Sequence, residues 1–380
     1  MTGAHVTGTG VATFGKRPDG LVDLLVEAAT EALSAVGRKS IDLIVVGTML
    51  SSAVAEEENV VAQVSDRLGL ETAAGLRVEA ASATGAATFQ AGVMAVRSGA
   101  AGRVLTVAGE KMTGPPTAEI AHVLSRSLAP SEQAVGASMP GLAALVARLY
   151  LDQFGGGASA FDHVAQQART AAALNPKAQF QTPVTLDEVA TSRPIALPLR
   201  LLHCSAVTDG AAAAIVERGA GEIEVAGFGQ GLDHQMLVDR VDLTSFLATR
   251  TAAQRAFEMA KITRKEIDFA ELHDAFAPFA LIDLEDIGMC GAGEAASWFS
   301  DGRTGPEGRF PVNASGGLLG RGHPVGASGL VQIVEIARQL RKEAGPFQLA
   351  KDLKMGLAQS IGGLGSHNFV TILRRGDAAG

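Results

Sequence analysis

The densest run of chemistry-bearing residues lies between Asn313 and Gly329, which reads NASGGLLGRGHPVGASG. Glycines at 316, 317, 320 and 322 would let the backbone come close to a ligand. His323 directly precedes Pro324, a residue suited to the first position of a helix. Such a helix start offers free N–H groups and partial positive charge, which suit an oxyanion. Asn313, Gly322 and His323 are the candidate site positions of this stretch. The bland alternative is a tight glycine turn carrying a surface histidine.

Three further stretches carry candidates. His273 and Asp274 open HDAF directly after an apolar run ending at Leu272, and open α/β sheets place their sites at strand C-termini. Ser82, within VEAASATGAATF, falls in a strand-to-helix turn where a hydroxyl can serve as a nucleophile or merely as a helix cap. Ser360 and Gly363 belong to QSIGGLG, a polar glycine turn after another strand-like run. Several weaker patterns fail. Gly8-Thr9-Gly10 lacks the third glycine of a dinucleotide fingerprint, and Gly227-Phe228-Gly229-Gln230-Gly231 has the wrong spacing. Cys204 and Cys290 are far apart, with no CxxC and no histidine pair, so no metal site is expected and both read as buried small hydrophobes.

The elements that must hold these residues alternate. Residues 5–14, 41–50, 77–81 and 103–109 read as strands, with helical spacing over 21–36 and 84–98. That order implies a βαβαβ unit with a mostly parallel sheet. The pattern returns after residue 220: strands at 222–227, 267–272, 310–314 and 354–358, and helices over 251–261 and 325–340. Ile267-Asp268-Phe269 echoes Ile41-Asp42-Leu43, so the chain reads as a duplicated α/β unit. Residues 113–209 interrupt the repeat as an inserted loop domain over the sheet's active edge. The expected divisions are 1–112 for the first part of the N-terminal half, 113–209 for the insert, 210–221 for the end of that half, and 222–380 for the C-terminal half.

Composition narrows the field. The chain has 380 residues, is 47% hydrophobic and carries a net charge of −8, which makes nucleic acid an unexpected partner. No run is long and apolar enough for a membrane span, and no secretory signal is evident at the start; two isolated cysteines make no disulfide framework, so a reducing cytoplasmic setting is expected.

Taken together, the four stretches resemble the thiolase superfamily, on the branch of sterol-carrier-protein-type and lipid-transfer-protein-type thiolases. HDAF and GHPVGASG carry most of the resemblance, supported by residues 171–210 and by Asp286 to Gly293. It implies a five-layered α-β-α-β-α thiolase fold of two halves, a homodimer, and an acyl-CoA substrate with coenzyme A as part of it and no tightly bound cofactor. The family's nucleophilic cysteine falls at Ser82, in Ser82-Ala83-Thr84-Gly85, and its second cysteine at Ser360. By the same resemblance His273 helps form an oxyanion hole, and His323 activates the nucleophile.

Losing both sulfurs matters chemically. Cysteine is partly thiolate near neutral pH, whereas a serine hydroxyl depends wholly on a neighbouring base. Retro-aldol cleavage of a β-hydroxyacyl-CoA needs no acyl-enzyme, only a base for the hydroxyl and donors for the enolate. That reaction is the leading expectation. The alternatives are an acyltransferase, acetyl-CoA acetyltransferase-like, using Ser82 with His323 as base, and a non-catalytic CoA-ester-binding subunit. Family members without the cysteines pair with a small OB-fold zinc-ribbon protein and rely on tyrosine hydroxyls; this chain has only Tyr150. Met139, Leu142, Leu145, Phe154 and Phe161 of the insert could line a pocket for a bulky acyl group, or form core.

Overall fold

A computed structural model describes residues 3–37 and 40–376; the outermost residues of the expected halves, 1–2 and 377–380, lie outside it. The N-terminal half contains β1 (Ala4–Val11), α1 (Leu21–Ser34), β2 (Leu43–Gly47), α2 (Val60–Leu68), β3 (Ala74–Val78), α3 (Thr84–Ser98) and β4 (Arg103–Glu110). The insert follows with α4 (Thr117–Ser125), α5 (Pro130–Ala134), α6 (Met139–Phe154), α7 (Ser159–Ala172), α8 (Leu186–Thr191) and a small pair, β5 (Pro194–Ala196) and β6 (Leu199–Arg200). Then come β7 (Gly210–Arg218), β8 (Ile223–Leu232), α9 (Leu247–Ala260), β9 (Phe269–Glu271), α10 (Ala277–Asp286), α11 (Ala295–Ser300), α12 (Ser328–Arg341), β10 (Met355–Gly362) and β11 (His367–Arg375).

The strands run in the order β3-β2-β4-β7-β1-β8-β11-β10-β9. Read outward from the β1–β8 junction, each half repeats one order: first strand, last strand, penultimate strand, second strand. In the N-terminal half β3 completes the edge. In the C-terminal half that place is taken by a single parallel bridge between Ala270 and Val312, where the sequence predicts a full strand over 310–314. Strands β7, β1, β8 and β11 each run antiparallel to both neighbours, whereas β2–β3, β2–β4 and β9–β10 pair parallel, so the sheet is mixed rather than mostly parallel. The Ile-Asp echo marks equivalent second strands, β2 and β9. The duplication is real.

Helices α3 and α12 pack against each other between the two halves of the sheet, with α1 outside one half and α9 outside the other, giving the five layers of the thiolase fold. The failed dinucleotide patterns have a packing role instead. A Cβ at Gly8 or Gly10 of β1 would lie 2.4 or 2.0 Å from carbonyls of Ala32 and Ala28 on α1. In β8 the same arrangement recurs: a Cβ at Gly227, Gly229 or Gly231 would lie 2.2, 2.1 or 2.1 Å from a carbonyl on α9. Alternate glycines on a strand's outer face let each outer helix sit directly on the backbone.

The insert begins and ends at one carboxylate. Asp209 accepts from the N–H groups of Met112 and Thr113, both at 2.7 Å, from Arg17 N–H at 3.0 Å and from Lys111 Nζ at 2.7 Å. The insert has no separate core: Tyr150 and Phe161 on α6 and α7 join Phe246, Phe279 and Leu281 of the C-terminal half in one buried cluster. Among the described residues no helix is long and apolar enough to cross a membrane.

Candidate functional site

Ser82 sits in the turn between β3 and α3, and the turn is strained. Ala81 carries a φ of 48°, a left-handed conformation that is costly for a residue with a Cβ. Thr84 braces it, accepting from Ala80 N–H at 2.9 Å and donating to Ala81 O at 2.6 Å. The N-termini of the two central helices then cross on two glycines. A Cβ on Gly85 of α3 would lie 2.5 Å from Leu330 N, and one on Gly329 of α12 would lie 2.6 Å from Ala86 N. Backbone-to-backbone contact here draws the Ser82 turn and the loop containing His323 to one place.

That loop departs from its expected form. Helix α12 starts at Ser328, not at Pro324; residues 324–327 form a turn in which Pro324 O accepts from the Ala327 and Ser328 N–H groups. His323 therefore stands one turn short of the helix. The glycines do not reach toward a ligand either. Gly316 and Gly320 press on Ala172 and Ala168 of α7, Gly317 on Asp274 and Asn313, and Gly322 on Thr208. They allow protein elements to approach one another.

An apolar-lined cavity of about 190 Å³ gathers Ser82, His273, His323, Phe276, Phe279, Ile361 and Gly363 from the strand ends, facing Ile120, Leu124 and Met139 of the insert. Met139 is thus the one residue among the five sequence-named pocket candidates that lines it. Phe161 is core, Leu142 and Phe154 pack against that core, and Leu145 is half exposed. The rings of His273 and His323 meet edge to face, 5.1 Å between centroids and 89° apart.

The tautomer of His323 follows from its neighbours. Ser328 Oγ lies 2.7 Å from Nδ1 and donates its only hydrogen to Pro324 O at 2.9 Å. It must then accept from Nδ1–H, which leaves the lone pair on Nε2. Burial, and after it the nearby Arg321 guanidinium, push His323 down to about 3. His273 is pushed well below its usual range by burial, then by His323 and Arg321. Its Nδ1 is buried without a partner, so Nε2 is the nitrogen left for a ligand. Both rings are neutral at physiological pH.

The other sequence-predicted residues divide. Gly363 lines the cavity, turning the chain at φ 63°. Asp274, Asn313 and Gly322 are structural neighbours behind it. Asp274 accepts from Leu318 N–H at 2.6 Å, and Asn313 Oδ1 accepts from Leu272 N–H at 2.6 Å. Ser360 is buried but not on the cavity wall; its unpartnered hydroxyl faces the helix crossing, 2.8 Å from where a Gly329 Cβ would be. Tyr150 is remote, its hydroxyl donating to Glu285 at 2.5 Å in the helical core.

Sequence reasoning missed several contributors. Ser328 and Arg321 lie inside the recognised motif but look like filler. Glu110, wholly buried at the end of β4, accepts from Met49 and Leu50 N–H at 2.9 and 3.0 Å and sits against Gly326, tying two loops behind the site. Burial raises it to about 7 against those bonds. Cys204 lines the cavity, but burial pushes its thiol up to about 12, so it offers no thiolate.

Residues 4–220 match the family described as thiolase, N-terminal domain, and residues 229–375 the thiolase C-terminal domain-like family. An acetyl-CoA acetyltransferase of Methanothermobacter thermautotrophicus is 36% identical over 387 residues, spanning 99% of this chain and 100% of that one. A 17-hydroxy-3-oxo-4-pregnene-20-carboxyl-CoA lyase of Mycobacterium tuberculosis is 37% identical over 210 residues, 52% of this chain and 54% of the relative. Among solved structures, one described as an Ltp2-ChsH2(DUF35) aldolase superposes with a TM-score of 0.83 at 26% identity, covering 98% of both chains.

Proposed function

The chain belongs to the thiolase family, and on that footing we propose that it cleaves the Cα–Cβ bond of a β-hydroxyacyl-CoA by a retro-aldol step. As a thiolase-superfamily enzyme it acts on acyl-CoA thioesters; the direction and type of carbon–carbon chemistry are the proposal. One observation carries it: two neutral imidazoles share an apolar cavity that contains no thiolate.

His323 Nε2 takes the proton of the β-hydroxyl as the Cα–Cβ bond breaks, releasing an aldehyde or ketone. The electron pair passes to the thioester carbonyl as an enolate. His273, donating from Nε2, holds that oxygen, and the proton on His323 returns to Cα to give the shortened acyl-CoA. A low pKa keeps the base unprotonated at the outset. The negative charge developing beside it offsets its weak basicity. Coenzyme A takes part only as a piece of the substrate. The relative named a CoA lyase and the neighbour named an aldolase support this reading.

The second reading, acyl transfer through Ser82, has one specific support: the relative named acetyl-CoA acetyltransferase matches essentially the whole chain. Against it, the Ser82 hydroxyl makes no hydrogen bond to His323, and an activated serine needs one. Ser82→Ala separates the two. Retro-aldol turnover, measured as released aldehyde or ketone from a β-hydroxyacyl-CoA panel, should persist within about tenfold. Loss of about a thousandfold, together with an acyl-Ser82 ester in the parent protein by mass spectrometry, would establish the acyltransferase instead.

For partners, β3 is an edge strand exposed over Ala74 to Arg77, which supports a homodimer formed across that edge. The aldolase neighbour's description names a second protein, which supports the expected small OB-fold zinc-ribbon partner.

A further inference from the structure

Resting on the acyl-CoA reading, we infer that the acyl group accepted by this site is short, roughly four to eight carbons, and that a fused tetracyclic or long-chain acyl group is excluded. The volume decides it. A dry apolar cavity of about 150 Å³ is filled by benzene, six carbons, so the 190 Å³ here holds little more. A steroid nucleus holds more than twice that number, and the reacting carbons must share the same space.

The walls set the limits of this space. Behind the histidines the space is closed by Phe276 and Phe279, and Phe279 is backed by Phe246 with ring centroids 5.2 Å apart. On the other side lie α4 and the start of α6, through Ile120, Ala121 and Met139. The larger outer cleft, about 560 Å³, meets the cavity at Gly363; Met49, Leu50, Val123 and Leu232 line it beside Glu79, Arg126 and Asp233, and it lies open to solvent. An apolar tail there stays largely in water and gains little. The inserted segment therefore sets acyl length, with Ala121 and Met139 the residues that tune it.

The test is calorimetric titration of the full chain with S-alkyl-CoA thioethers, which cannot react, from ethyl to hexadecyl, plus one bearing a fused tetracycle. Affinity should strengthen about fourfold per methylene to roughly hexyl or octyl. It should then drop at least tenfold for dodecyl and for the tetracycle. Equal binding of hexyl, dodecyl and tetracycle would overturn the length limit while leaving the acyl-CoA reading intact; no binding at any length would overturn both. Ala121→Phe, on the solvent-facing helix α4, should move the optimum to ethyl, and Met139→Ala should move it to longer chains. Folding of each is checked by its melting temperature. If folded Ala121→Phe keeps the parent profile, this cavity is not the acyl site and the inference falls.

Discussion

His273 and His323 hold each other edge to face at 5.1 Å, although 50 residues of sequence separate them. Each arrives on a separate loop of the C-terminal half, one after β9 and one before α12. Ser82 completes the group from the other half of the duplication, brought in by the crossing of α3 and α12.

Ser328 fixes the proton on His323 Nδ1, so its removal should act on turnover rather than binding. Ser328→Ala is expected to lower kcat about tenfold or more with KM nearly unchanged, and Ser328→Thr to recover most of it. Steady-state kinetics on the β-hydroxyacyl-CoA panel give the split. A rise in KM with constant kcat would argue that Ser328 only supports the loop.

An exposed histidine base would produce an acidic limb near pH 6.5 in kcat/KM. Burial and Arg321 depress His323 to about 3, so it stays unprotonated well below neutrality. The profile should therefore be flat from pH 8 down to about 5. A limb centred near 6.5 would show that the free enzyme's base is not the buried His323.

Asp274 bears on stability. Burial raises it to about 7 despite the bond from Leu318 N–H. Its folded value exceeds its unfolded one, so its stabilising contribution is complete below the unfolded value of 3.8 and is lost as pH rises toward 7. Asp274→Asn keeps the acceptor for Leu318 and cannot ionise. Urea unfolding should show the variant gaining on the parent between pH 4 and 8. A constant difference across that range would mean Asp274 titrates normally.

Tyr150 is the only tyrosine, and its hydroxyl is committed to Glu285 inside the helical core. Tyr150→Phe should leave kcat within about twofold and lower stability by about 1–3 kcal/mol, since a half-buried carboxyl loses its donor. A hundredfold fall in turnover at unchanged stability would give this tyrosine a chemical role after all.

The local sequence determined what depends on neighbours along the chain. The Ile-Asp echo and the recurring strand–helix order revealed two halves, because burial on both faces leaves continuous apolar runs. HDAF and GHPVGASG marked the two histidines, and the position of Ser82 before a small-residue helix marked its turn. What the sequence did not carry is direction. Asp274, Asn313 and Gly322 sit in the same motifs as the histidines, yet their side chains or backbone are turned to packing, and alternation along β10 sends Ser360 toward the helix crossing while Ile361 faces the cavity. Nor could a linear reading tell that the motif's glycines serve helix contacts, that Ala81 takes a left-handed turn, or that burial holds both imidazoles neutral. Those properties arise from atoms hundreds of residues apart excluding water from one another, and only the folded chain brings them together.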